Sequence, residues 1–162
     1  MRLLDNIDLD GFFQNPKWLI GFSDITALHI LLQEKLECVS IHAGMAYTFK
    51  DISIEKDMGI SSLLDVLRGE MPKYKVKPHP LNRLGKAEGI LKGGNLSVLY
   101  SLTGTPYHPN TLDTILFLED VDEYLYHIDR MMMNLKLSGL LSGLQGLILG
   151  GMTDMHDNEI PF

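Results

Sequence analysis

The sequence predicts an α/β protein. An N-terminal parallel-sheet unit of the βαβ kind is expected over residues 1–68, a linker over 69–84, and a second, smaller α/β unit over 85–162, both units incomplete. Three observations carry this. Residues 18–22 form a short, continuous apolar run, the pattern of a strand buried on both faces of a parallel sheet. Ile25, Leu28, Leu32 and Leu36 follow at three- and four-residue spacing, an amphipathic helical face, and residues 37–41 read as the next strand. Strand, helix and strand in such short succession make a right-handed parallel crossover.

The remaining elements follow in order. Residues 5–13 mix apolar and acidic side chains as a short helix or turn, which Asn15-Pro16 interrupts. Residues 61–67 read as a short helix, with Ser61 or Ser62 as its N-cap. Pro72, Pro78 and Pro80 mark residues 68–83 as extended chain between two units. A strand then leads to Gly93-Gly94-Asn95, with Asn95 capping a helix over 96–102 that Gly104-Thr105-Pro106 ends. Residues 114–118 are a β-branched, apolar strand with Glu119-Asp120 at its end. A helix over 124–137 buries Leu125, Ile128, Met132 and Leu135, and residues 146–151 form a final strand.

Composition narrows the function classes. The net charge of −7 leaves no basic patch for a phosphate backbone, so nucleic acid is not an expected partner. No apolar run reaches the roughly 20 residues that span a bilayer, and the acidic start lacks the apolar core of a secretory signal. A single cysteine, Cys38, excludes an internal disulfide and fits a reducing, cytoplasmic compartment. Its apolar surroundings suggest a buried, inert thiol. No histidine pair has metal-ligand spacing, so neither a metal nor a cofactor is expected.

Ser23 is the leading candidate for chemistry. It lies where the first strand turns into a helix, the placement that presents a nucleophilic hydroxyl above a sheet. Gly21 permits a tight turn. The N–H of Asp24, at the positive end of the helix, is placed to serve as an oxyanion donor. Ile25 stands where a full nucleophile elbow has a second glycine, and on local sequence alone a helix cap is the favoured reading of Ser23. Glu119-Asp120, directly after an apolar strand, can orient a histidine or cap the next helix. His42 and His156 each follow a strand and are the site histidines this reading favours. His29 and His127 read as helix-face residues. Gly93-Gly94-Asn95 outlines a phosphate cradle without the Lys-Ser/Thr of a P-loop, so packing or a substrate-side backbone contact fits better.

Taken together, four stretches resemble the LD-carboxypeptidase family of serine peptidases. They are Asn15-Pro16-Lys17 with the run from Trp18 to Leu28; Gly93-Gly94-Asn95-Leu96; residues 115–120 with Tyr126-His127-Ile128-Asp129-Arg130; and Gly150-Gly151-Met152-Thr153-Asp154. The resemblance implies two α/β units with the site between them, and a Ser-His-Glu triad. Ser23 falls on the nucleophile and Glu119 on the glutamate. It also implies that the catalytic histidine lies beyond Phe162, that His156 does not take its place, and that a glycine-rich oxyanion loop precedes Met1. The chain is then the middle of a member, inactive or nearly so alone. His42, Gly94 and Asn95 are implied on the substrate side, although His42-Ala43-Gly44 departs from the family's usual His-Gly-Pro. The substrate implied is a murein peptide, and a homodimer is expected. An immunity-type peptidase acting on a peptidyl-nucleotide, and a non-catalytic binding domain, are the alternatives.

Overall fold

The computed structural model describes residues 1–49 and 57–161. They form a mixed α/β protein with two parallel sheets, one of strands β1 (Ile20–Gly21) and β2 (Ile41–His42), the other in the order β3 (Ile90–Asn95), β4 (Thr114–Val121), β5 (Gly146–Thr153). Five α-helices accompany them: α1 (Asp10–Gln14), α2 (Thr26–Leu36), α3 (Met58–Leu67), α4 (Leu96–Ser101) and α5 (Leu125–Leu137). By contact the chain divides into Met1–His42 with Ala87–Phe162, and Ala43–Lys86. This grouping is a different cut from 1–68, 69–84 and 85–162, which follows chain order.

The first unit holds the core. Strand β4 alternates buried and half-buried residues, and sends Leu116 and Leu118 to one face. There they meet Leu96, Leu99 and Leu102 around α4, Met131 and Leu135 of α5, and Ala27, Ile30 and Leu31 of α2. Full burial of each such leucine contributes about 1.5–3 kcal/mol, so this seam fixes where the strand ends lie. On α5 the buried stripe runs through Met131 and Leu135, while Leu125 at the helix start is exposed.

Strands β1 and β2 are shorter than the sequence suggests. Helix α2 runs to Leu36 and ends when Glu37 turns left-handed (φ +52°), its N–H returning to the Leu32 carbonyl. That geometry closes a helix rather than opening a strand. Cys38 is consequently half-buried, not buried, and remains a free thiol.

In the second unit α3 begins three residues before Ser61. Asp57 is its cap, the carboxylate accepting the Ile60 N–H at 2.9 Å. Residues 71–86 lack regular helix or strand. Among the described residues, no helix is long and apolar enough to cross a membrane.

Candidate active site

The carboxyl ends of β1 to β4 carry the polar residues of interest. At the end of β1, Gly21 packs against Ile25, and a Cβ there would lie 2.8 Å from the Ile25 Cγ1. The missing side chain lets the backbone fold back on itself within four residues. Ser23 then takes φ +58°, the left-handed region, and opens a single 3-10 turn (Ser23–Ile25) that runs into α2. A non-glycine residue held there costs about 1–3 kcal/mol and persists only where its surroundings enforce it. The N-cap positions of the turn and of α2 are Phe22 and Ile25, so the cap reading does not describe Ser23. The residue is half-buried, and its hydroxyl carries no hydrogen bond to a described residue. Asp24 follows with an exposed side chain at the N-terminal end of the turn.

His29, on the first turn of α2, is buried and points back at this elbow. Its Nε2 lies 3.0 Å from the Gly21 carbonyl oxygen and its Nδ1 2.8 Å from Ser40 Oγ. A carbonyl only accepts, so Nε2 bears the proton and donates, and Nδ1 accepts from the Ser40 hydroxyl. Burial lowers the His29 pKa from its ordinary value, which favours this neutral form.

The glycine pair lies within β3 rather than after it. Gly93 and Gly94 have φ of +128° and +139°, and a Cβ on Gly93 would fall 1.8 Å from the Phe117 carbonyl oxygen. At Gly94 it would fall 2.5 Å from Thr26 Oγ1. That hydroxyl accepts the Asn95 N–H at 3.0 Å, joining the start of α2 to the end of β3. Asn95 caps α4 through Oδ1, which accepts from Val98 N–H at 3.1 Å and Ser97 Oγ at 2.8 Å. Its amide donates to Asp120 Oδ1 at 2.9 Å, and Asp120 Oδ2 accepts the Ser97 N–H at 2.9 Å. Buried Asp120 therefore holds the β3–α4 junction to the end of β4.

Glu119 pairs with Asn95 in the β3–β4 register, and the ladder to β5 slips between Leu118 and Asp120. Its Oε1 is buried and, among the described residues, has no hydrogen-bond partner; His42 Nε2 stands 3.7 Å away. The His42 ring packs edge-on to Phe117, with centroids 5.4 Å apart. Burial raises the Glu119 pKa and adjacent Asp120 pushes it the same way, against a smaller opposing effect of Asn95. Burial also lowers that of His42, with neighbouring His29 adding to the effect. A carboxylate with one unsatisfied oxygen beside a histidine is a group able to orient or receive a proton.

Comparison with known proteins matches residues 1–43 to the LD-carboxypeptidase N-terminal domain and residues 88–161 to the LD-carboxypeptidase C-terminal domain. The chain belongs to the LD-carboxypeptidase family. It is 36% identical to the probable murein peptide carboxypeptidase of Bacillus subtilis, over 96% of this chain and 49% of that protein. The crystal structure of muramoyltetrapeptide carboxypeptidase from Oxalobacter formigenes superposes with a TM-score of 0.82 at 29% identity, covering 98% of this chain and 54% of the other. The microcin C7 self-immunity protein MccF of Escherichia coli is 27% identical over 91% of this chain and 52% of its own. The chain thus spans about half the length of the relatives it matches.

Within this LD-carboxypeptidase chain, Ser23, Asp24 and His42 lie in the N-terminal match and Gly94, Asn95 and Glu119 in the C-terminal one. The fold brings His42 to Glu119, sets Asn95 beside Glu119 in register, and links Asn95 to the elbow through Thr26. His156 pairs with Asp122 at 2.6 Å, and His127 with Glu123 at 2.6 Å. Among the described residues, no three His, Cys, Asp or Glu side chains are grouped to hold a metal ion. His29 is the residue that sequence reading passed over as a helix-face histidine. Its signal was a lone polar ring inside Ala27-Leu28-His29-Ile30-Leu31-Leu32, an apolar run that tolerates one only if its nitrogens are paired.

Proposed function

We propose that this chain contributes Ser23 as nucleophile and Glu119 as the orienting acid of a serine LD-carboxypeptidase. The reaction is hydrolysis of the L,D-peptide bond of murein tetrapeptides with release of terminal D-alanine. Ser23 Oγ attacks the peptide carbonyl and gives its proton to a histidine that Glu119 orients. The oxyanion forms near the Asp24 N–H. Collapse expels D-alanine, its amine taking that proton, and water then hydrolyses the acyl-serine. His42, Gly94 and Asn95 border the substrate in this reading, Gly94 through its backbone. The general base is a histidine outside residues 1–162, so the chain alone turns over slowly. A cytoplasmic homodimer in cell-wall recycling is the proposed setting.

The observation that supports this most is the left-handed φ of Ser23 at a strand-to-helix turn, the strained geometry of a nucleophile elbow. The similarity to MccF supports a second reading, in which the same machinery cleaves a peptidyl-nucleotide. Release of D-alanine from a murein tetrapeptide and cleavage of an aminoacyl-nucleotide are assayed side by side, with and without added imidazole as a soluble base. Slow D-alanine release that rises with imidazole and disappears in Ser23→Ala is the expected result. Turnover of roughly 1–1000 per second without imidazole would move the base into the chain. Activity that survives Ser23→Ala would remove Ser23 from the mechanism.

A further inference from the structure

We infer that His29 is a positioning residue, which holds Ser23 in its left-handed geometry by gripping the carbonyl of Gly21. The inference rests on Ser23 being the functional serine, and adds to that reading a residue that none of the family's triad positions includes.

The geometry is specific. Gly21 ends β1, and Gly21 pairs with His42 at the last residue of the short ladder. Two residues later the chain reverses into the 3-10 turn. The Gly21 carbonyl is thus the last strand acceptor before the strained residue, and it takes its hydrogen bond from a side chain eight residues ahead. That bond closes the elbow onto the helix it leads into. A ring nitrogen can donate there only as the Nε2–H tautomer. Ser40, just before β2, selects that tautomer by donating to Nδ1. Helix α2 is itself anchored one turn earlier, where Thr26 Oγ1 accepts the Asn95 N–H. The His29 ring therefore works from a fixed support, pulls on one carbonyl, and meets a partner just before the neighbouring strand.

A histidine that merely filled space in α2 would need neither bond. Leucine fits the same apolar run and would leave the Gly21 carbonyl without this donor. Glutamine can place an N–H donor where Nε2 stands.

Nuclear magnetic resonance of the full 162-residue chain tests this at the two residues concerned. The 15N shifts of His29 are expected to show a neutral ring protonated at Nε2. The Ser23 13Cα and 13Cβ shifts and its HN–Hα coupling are expected to report a left-handed φ. His29→Leu is expected to lose that signature, and His29→Gln to keep it, although both lose packing. Ser40→Ala, which leaves His29 in place, is expected to give mixed ring tautomers and a weakened signature in a folded protein. An Nδ1-protonated His29, or a His29→Leu protein that folds with the Ser23 signature intact, would overturn the inference. If His29→Leu does not fold, the Ser40→Ala and His29→Gln spectra decide it by the same criteria. Reaction of Ser23 with a fluorophosphonate, with imidazole added as the soluble base, is followed in parallel. An unreactive Ser23 with its left-handed signature intact counts against the nucleophile reading and leaves the His29 assignment standing.

Discussion

His42 Nε2 stands 3.7 Å from Glu119 Oε1, and each group is displaced toward its uncharged form. The separation is too long for a hydrogen bond, so burial outweighs attraction in both. The consequence for stability has a definite sign. Glu119 holds its proton more tightly in the folded chain than in the unfolded one, so its contribution is favourable at low pH and is lost as pH rises through the folded-state value. Glu119→Gln is therefore expected to be more stable than the parent at neutral pH. The advantage should shrink as pH falls into the carboxylate range, which urea unfolding at about pH 7 and about pH 4 checks.

His42 has the opposite linkage. Its pKa is lowered on folding, so its contribution is present above the ordinary histidine value and is lost as pH falls through the folded-state one. Relative to His42→Gln, the parent should lose stability as pH drops below about 6.5. Parallel thermal melts across that range would show the two curves converging or crossing on the acid side.

Ser23 separates stability from reactivity. Glycine accepts φ +58° freely, whereas alanine keeps the Cβ that makes this region costly. Ser23→Gly should be more stable than Ser23→Ala by about 1 kcal/mol, with both inert toward a fluorophosphonate. Equal stabilities in urea would mean that the serine backbone is not strained.

Gly93 has no room for a side chain. Ala at this position would press its Cβ against the Phe117 carbonyl at 1.8 Å in a strand with a fixed backbone partner. Gly93→Ala is expected to cost about 4 kcal/mol or more, in the range of severe core lesions. Gly85, whose added Cβ meets nothing within 4 Å, provides the control, and Gly85→Ala should stay within about 0.5 kcal/mol. Circular dichroism melts suffice to tell these apart.

Asp120 accepts from the Asn95 amide, the Ser97 N–H and the Val121 N–H. Asparagine would turn an NH2 toward one of those donors. Asp120→Asn should cost about 1.5–3 kcal/mol, the scale of hydrogen bonds to a charged group. Hydrogen exchange at Ser97 should rise with it.

The parallel crossover and the elbow were legible because strand and helix leave different periodicities on either side of Ser23. The Asn95 cap and the acids near the end of β4 were legible because their residue types have few other uses at those places. Other features depend on three-dimensional proximity. No local pattern distinguishes Glu37 as a left-handed helix end from Glu37 as the start of a strand, and Asp57 capped α3 outside the apolar repeat that marked the helix. His29 was placed on a helix face by spacing, yet its meaning comes from the Gly21 carbonyl and Ser40. Gly93 and Gly94 read as following the strand, before the helix, because two glycines rarely continue a strand. Here the approach of Phe117 and Thr26 requires them.

The slip in the β4–β5 ladder has a consequence for how sequences in this region can change. Leu118 faces Leu149, but Asp120 faces Met152, so Gly150 and Gly151 together stand opposite Glu119 alone. Strand side chains alternate with a period of two, and a shift of one residue exchanges the two faces. The glycine pair thus resets the phase of β5 just where the acid is displayed. Deleting either glycine would leave a single residue opposite Glu119, an even ladder in which Met152, which packs against the core, still faces Asp120 and the local kink beside the acid is lost.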